Sequence, residues 1–188
     1  MNKPKYILTG TTGAGKTTIV RRLAELQQRV VPESFMDVFW RLRNAGVADP
    51  LAEESFIDEV VASQLERITS ICPETTGPIF CDRSPLCTLA LSNFMGRRPS
   101  PDLRQAVDRS IQEATYSDVV FFVANLGFSP GNEVARLSFS DLVRFEDVHR
   151  QVYTDHGFSC VDIPPLTVDQ RVEQILNHVA SETSRLSD

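Results

Sequence analysis

Residues 10–17 read Gly10-Thr11-Thr12-Gly13-Ala14-Gly15-Lys16-Thr17. They meet every fixed position of G-x-x-x-x-G-K-[ST], a loop that cradles phosphates. A polyphosphate presents several negative charges and many acceptor oxygens. Successive loop N–H groups, set at the positive end of a following helix, satisfy both. Gly10, Gly13 and Gly15 let the backbone approach closely and adopt angles that a side chain resists. Lys16 can reach the β- and γ-phosphates as a point charge. The Thr17 hydroxyl can ligate Mg²⁺, whose other sites go to phosphate oxygens, waters and a carboxylate. The expected binding segment runs from Gly10 through Thr18 and grips a nucleoside triphosphate.

Three further places carry reactive side chains. Pro32-Glu33-Ser34 offers a carboxylate that can take a proton from a hydroxyl or hydrogen-bond a substrate; the plainer alternative is a helix-start carboxylate facing the macrodipole. Asp82-Arg83-Ser84 follows a short apolar run. Asp82 there can hold Mg²⁺ or act as a base, and the planar fork of Arg83 suits oxyanions. The alternative is an Asp82–Arg83 neighbour pair capping the next helix. Arg136 lies in a loop that can bring positive charge over a γ-phosphate; a surface arginine is the equal alternative. Gln64 and Arg67 can line an acceptor pocket, although an exposed helix face is the favoured reading. Trp40, Phe35 and Phe39 read as core or as a pocket border. Arg144 reads as a solvated face residue. His149, His156 and His178 are spread apart, and His149 reads as packing.

The elements that must hold these residues alternate. Tyr6-Ile7-Leu8-Thr9 reads as a strand, and Ile19, Leu23 and Leu26 recur at helical spacing after the loop. Arg29-Val30-Val31 is a second strand, closed by Pro32. Phe35 to Leu42 reads as a helix ending near Gly46, and Glu53 to Cys72 as the longest helix in the chain. Pro78 to Cys81 is a buried strand. Ser84-Pro85 starts a helix that Gly96 stops, and Ser100-Pro101 starts another through Ala114. Asp118 to Ala124 is apolar enough to be buried on both faces. Leu126 to Arg136 reads as a loop. Leu142, Phe145, His149 and Val152 mark a helix face, and Ser159 to Ile163 a last strand. Thr167 to Gln170 forms a capping box for a closing helix. This alternation implies an α/β fold, a parallel sheet of five strands with helices on both faces. Ligands then bind beyond the carboxyl ends of the strands, where the residues above fall.

The 188 residues are 41% apolar and 23% charged, with net charge −6. One domain is expected over residues 1–181, with a frayed polar tail over 182–188. No apolar run spans a bilayer, and no basic stripe suggests a nucleic-acid partner. Cys72, Cys81, Cys87 and Cys160 show neither zinc nor disulfide spacing. With the first strand starting at once after Met1-Asn2-Lys3-Pro4-Lys5, these features place the protein in the cytoplasm as an expectation.

Taken together, Gly10 to Thr17, Pro32-Glu33, Asp82-Arg83-Ser84, the Arg136 loop and a late helix resemble the P-loop small-molecule kinases. The Pro-Glu and Asp-Arg-Ser landmarks are similar to those of deoxynucleoside kinases, and Asp-Arg to thymidylate kinases. The stretch from Asn132 to Leu176 looks like compact AAA-family ATPase domains related to ribosylnicotinamide kinase. The resemblance implies a three-layer P-loop fold with strand order 2-3-1-4-5 and ATP·Mg²⁺ as phosphoryl donor. It also implies a small hydroxyl-bearing acceptor, nucleoside- or nucleotide-like, near Glu33 and Asp82, in a monomer or homodimer. Lys16, Glu33, Asp82, Arg83 and Arg136 are then the catalytic set, with Thr17 and Asp82 toward the metal. The chain departs from deoxynucleoside kinases in having Ala135-Arg136-Leu137 in place of a dense arginine cluster, and Asp82 where many have Glu. A nucleotide-dependent switch and a plain NTP hydrolase are the rival functions.

Overall fold

The computed structural model describes residues 4–71, 77–127 and 137–185. Five strands form one parallel sheet: β1 (Lys5–Thr9), β2 (Arg29–Val31), β3 (Ile79–Asp82), β4 (Val119–Val123) and β5 (Ser159–Ile163). Their order is β2-β3-β1-β4-β5, as the resemblance implies. Seven α-helices accompany them among the described residues: α1 (Lys16–Glu25), α2 (Phe35–Asn44), α3 (Phe56–Thr69), α4 (Pro85–Phe94), α5 (Pro101–Gln112), α6 (Phe139–Asp155) and α7 (Val168–Arg185).

Strand pleating divides the core into two layers. Ile7, Ile79, Cys81 and Val120 point to the face covered by α2–α6, joined by Val60, Leu86, Leu103 and Tyr153. Leu8, Phe80, Phe121 and Val123 point to the other face, against Ile19 and Leu23 of α1 and Ile175 of α7. All five residues of β4 are buried, which accounts for its unbroken apolar run. Each fully buried Phe there contributes about 2–3 kcal/mol of burial free energy.

Local signals explain most helix ends. Gly46 and Gly96 follow α2 and α4 with positive φ of 93° and 66°. Thr167 and Gln170 form the reciprocal bonds of the capping box that opens α7. α7 continues to Arg185, into the stretch where fraying was expected.

Several expectations are corrected. The longest helix among the described residues is α7, with 18 residues; α3 has 14 and ends at Thr69. Ser84 occupies the N-cap of α4 but makes no side-chain cap. Its hydroxyl instead meets the Tyr153 hydroxyl of α6 at 2.7 Å. Trp40 is neither core nor pocket: it is 43% exposed, packing edge-on against Phe39. Gln64, favoured as exposed, is buried. Cys72 and Arg136 lie outside the described residues.

Candidate active site

The parallel register brings the motif residues together. Leu8 of β1 pairs with Asp82 of β3, and Val31 of β2 with Cys81. The residues just beyond these pairs are the glycine-rich loop, Arg83 and Glu33, side by side at one end of the sheet.

The loop is held from within. Gly10 has φ +124°, and a Cβ there would lie 2.3 Å from the Val123 carbonyl oxygen of β4. Only glycine allows β1 to turn so close to its neighbour. The Lys16 ammonium donates to the carbonyls of Gly10 (2.8 Å) and Thr11 (2.6 Å), bracing the loop from within. Burial, and then the Arg83 charge, lower the Lys16 pKa to about 8; Asp82 and Glu33 oppose that shift. An anion bound beside Lys16 would favour its charged form.

Thr17 donates to one oxygen of Asp82, Oδ2, at 3.1 Å. The other oxygen, Oδ1, is buried and has no hydrogen-bond partner among the described residues. Burial is the main cause of the raised Asp82 pKa, against the pull of Lys16 and Arg83. A buried carboxylate oxygen left unpaired costs about 1–3 kcal/mol or more, so it is a ready ligand for a cation. No cluster of three or more His, Cys, Asp or Glu side chains exists among the described residues. A Mg²⁺ carried by a triphosphate needs none, because one or two protein oxygens complete its shell. Thr17 and Asp82 fit that role.

Arg83 does not pair with its neighbour Asp82. Its Nε donates to Glu33 Oε2 at 2.9 Å, and both side chains are largely buried. The backbone of Arg83 adopts φ +78°, a left-handed conformation that aims the side chain toward β2. Burial works against the guanidinium charge, but Glu33, Cys87 and Asp82 together outweigh it and raise the pKa. Glu33 itself is set from behind: Arg67 donates to the backbone carbonyls of Pro32 and Glu33 and to the Asp37 carboxylate. Arg67 therefore supports the site without lining it.

A cleft of about 700 Å³ opens on the loop and runs inward between the helices. Thr12, Lys16 and Thr17 of the loop and its helix line it together with Glu33 and Arg83. Beyond them the walls are mainly apolar, including Phe35, Val60, Leu91 and Phe145. Gln64 enters this chamber from α3, and its Oε1 is buried without a partner among the described residues. The cleft floor is tied together by hydroxyl and thiol contacts: Thr9 to Cys87 (3.2 Å), Cys87 to Tyr153 (3.0 Å) and Tyr153 to Ser84. Behind the chamber wall His149 is fully buried, with Nδ1 at 2.9 Å from the Phe145 carbonyl. His156 and His178 lie elsewhere, on α6's C-terminus and α7. Arg144 is exposed and lies over the Phe94 ring.

The structure thus brings together Gly10–Thr18, Glu33, Asp82, Arg83 and Gln64, and leaves Trp40 and Arg144 outside. Arg171 of α7, unremarked in the sequence, also reaches the loop, donating from Nη1 to the Ala14 carbonyl at 2.8 Å. Its signal is its position: a cation in the first turn of a helix opposes the macrodipole.

No curated protein matches the sequence. Among solved structures the chain is similar to thymidylate kinase from Ehrlichia chaffeensis, with TM-score 0.64 and 16% identity, covering 96% of this chain and 100% of that one. It is also similar to deoxyadenosine kinase from M. mycoides, with TM-score 0.61 and 16% identity, covering 94% and 98%. For thymidylate kinase from Candida albicans the values are 0.58, 12%, 97% and 93%. Likeness at this identity establishes the fold, which is that of P-loop kinases. No helix among the described residues is long and apolar enough to cross a membrane. A family model described as an AAA domain matches residues 5–171, and the chain belongs to that AAA domain family.

Proposed function

We propose that the protein is an ATP- and Mg²⁺-dependent phosphotransferase whose acceptor is a small, nucleoside-like molecule bearing a hydroxyl. The observation that carries this reading is the apolar chamber opening directly on the phosphate loop, with the Glu33–Arg83 pair at the junction. A hydrolase needs only water beyond the γ-phosphate, and a switch needs an exposed surface there. A deep chamber supports a second substrate.

The acceptor is better matched by a nucleoside than by a nucleotide. Besides Lys16 on the donor side, Arg83 is the only Lys or Arg lining the cleft among the described residues, and Glu33 already engages it. A phosphate placed there would face the Glu33 carboxylate. Gln64 offers both an acceptor and donors within apolar walls, which suits the amide edge of a flat heterocycle.

In this reading the loop amides and Lys16 hold the triphosphate, and Thr17 and Asp82 would hold Mg²⁺, which neutralises charge on the phosphate oxygens. Glu33 accepts the proton of the acceptor hydroxyl as that oxygen bonds to the γ-phosphorus. The bond from γ-phosphorus to the β,γ-bridging oxygen breaks, and ADP leaves. Arg83 orients Glu33 and offsets charge developing beside it. Arg136, outside the described residues, completes the set on sequence grounds alone. The chemistry asks for positioning and charge neutralisation more than for covalent work.

The test is γ-phosphate transfer from Mg·ATP by the full chain to a panel of nucleosides, nucleotides, amino sugars and vitamins. Acceptor-dependent ADP formation is expected with nucleosides, and Glu33→Gln should reduce it by roughly a hundredfold or more. ADP release at the water rate across the whole panel would refute the assignment.

A further inference from the structure

Arg171 is 3% exposed, yet no carboxylate among the described residues pairs with it. Of the two acids nearest in sequence, Asp169 is already engaged by Arg22 at 2.8 Å, and Glu173 makes no ion pair with Arg171. Nε and Nη2 of Arg171 are buried and have no hydrogen-bond partner among the described residues. Burial lowers its pKa, with no neighbouring acid to offset the effect. A guanidinium in such a place is costly unless something anionic compensates it when the protein is at work.

The one side-chain hydrogen bond it makes among the described residues explains what it acts on. Nη1 donates to the Ala14 carbonyl, and the same nitrogen would lie 3.2 Å from a Cβ built on Gly15. The Ala14 carbonyl and the Gly15 N–H belong to one trans peptide, so they point in opposite directions. Holding the carbonyl outward on the α7 side turns the N–H inward, toward the concave side of the loop. The Gly15 N–H has no partner among the described residues. A donor beside the carbonyl also polarises the peptide and strengthens that N–H as a donor.

We infer that Arg171 is a positioning residue of the donor site: it fixes the Ala14–Gly15 peptide with its N–H toward the bound triphosphate, whose negative charge compensates the buried guanidinium. This rests on the reading of the loop as the ATP site. It assigns to the closing helix, far from the motif in sequence, a part in gripping the nucleotide. It also sets a pattern that a merely structural arginine would not show. Removing Arg171 should leave the nucleotide-free protein as stable as before, or more stable, while weakening ATP.

The test compares wild type, Arg171→Met and Arg171→Lys, each as the full chain. Apo melting temperature is measured first, then the Kd for Mg·ATP by calorimetry at low temperature, where all three are folded. Arg171→Met is expected to melt at or above wild type and to bind ATP roughly tenfold more weakly, about 1.4 kcal/mol. Arg171→Lys should recover part of the affinity, because it restores a positive charge and a donor toward the Ala14 carbonyl. ATP affinity within twofold of wild type in Arg171→Met overturns the inference and leaves the donor site standing. A lower apo melting temperature with an affinity loss that lysine does not recover also overturns it, in favour of simple packing. If wild type itself fails to bind Mg·ATP, the donor reading falls and this inference falls with it.

Discussion

His149 makes folding stability depend on pH in a way that can be calculated. The ring is fully buried on α6, packed at 4.2 Å between centroids from Phe145. Burial, and then the charges of Arg83 and Lys16, lower its pKa from 6.5 to about 3, opposed by the Phe145 carbonyl. The folded state therefore holds neutral imidazole across a range where the unfolded chain protonates it. The contribution is fully present above the unfolded pKa and is lost as pH falls from about 6.5 toward 3. At about pH 5 the loss relative to neutral pH is about 2 kcal/mol, from the linkage relation with these two pKa values. The perturbation is His149→Met, which keeps the volume and removes the titration. The Phe145 carbonyl keeps its helical partner in the variant. Urea unfolding of both proteins between about pH 8 and pH 5 reads the difference directly. The stability gap between wild type and variant should move by about 2 kcal/mol toward the variant on acidification. Other groups titrate in both proteins and cancel. A gap that stays constant within about 0.5 kcal/mol would show that the imidazole reaches solvent or a proton in the folded state, and would refute the reasoning.

Two substitutions test the loop and its carboxylate. Gly10→Ala should cost about 2–5 kcal/mol in urea unfolding, because both a 2.3 Å clash with Val123 and a strained φ must be relieved; a cost below about 1 kcal/mol would mean that β1 and β4 separate freely. Asp82→Asn should leave apo stability nearly unchanged, since it removes a buried charge and keeps an acceptor for Thr17, while Mg²⁺-dependent turnover falls at least roughly a hundredfold; wild-type turnover would place the metal-binding carboxylate elsewhere.

Much of this site is legible because its residues follow strands. The loop pattern is complete in sequence, and strand ends at Val31 and Asp82 mark Glu33 and Arg83. That Arg83 turns to Glu33 instead of Asp82 depends on β2 lying beside β3, a pairing that periodicity alone does not specify. Gln64 shows a reading that local polarity misled. It stands one turn from Val60 and one turn from Ile68, so it lies on the buried stripe of α3 despite its amide. Trp40 shows the reverse: Val38 and Phe39 occupy the inward arc of α2, and the indole faces out. The Ser84 hydroxyl goes to a tyrosine 69 residues away, and Arg171 to a carbonyl 157 residues away. No local pattern encodes contacts of that separation.

The left-handed backbone of Arg83 sets backbone strain against the ion pair that its side chain makes. A non-glycine residue at φ +78° costs on the order of 1–2 kcal/mol, which glycine would relieve. Arg83→Gly would nevertheless leave Glu33 without its guanidinium partner in the cleft. Glycine there would exchange relief of backbone strain for a part-buried carboxylate at Glu33 with its ion pair lost. The strained backbone at position 83 and the ion pair of its side chain are thus two opposed contributions of one residue.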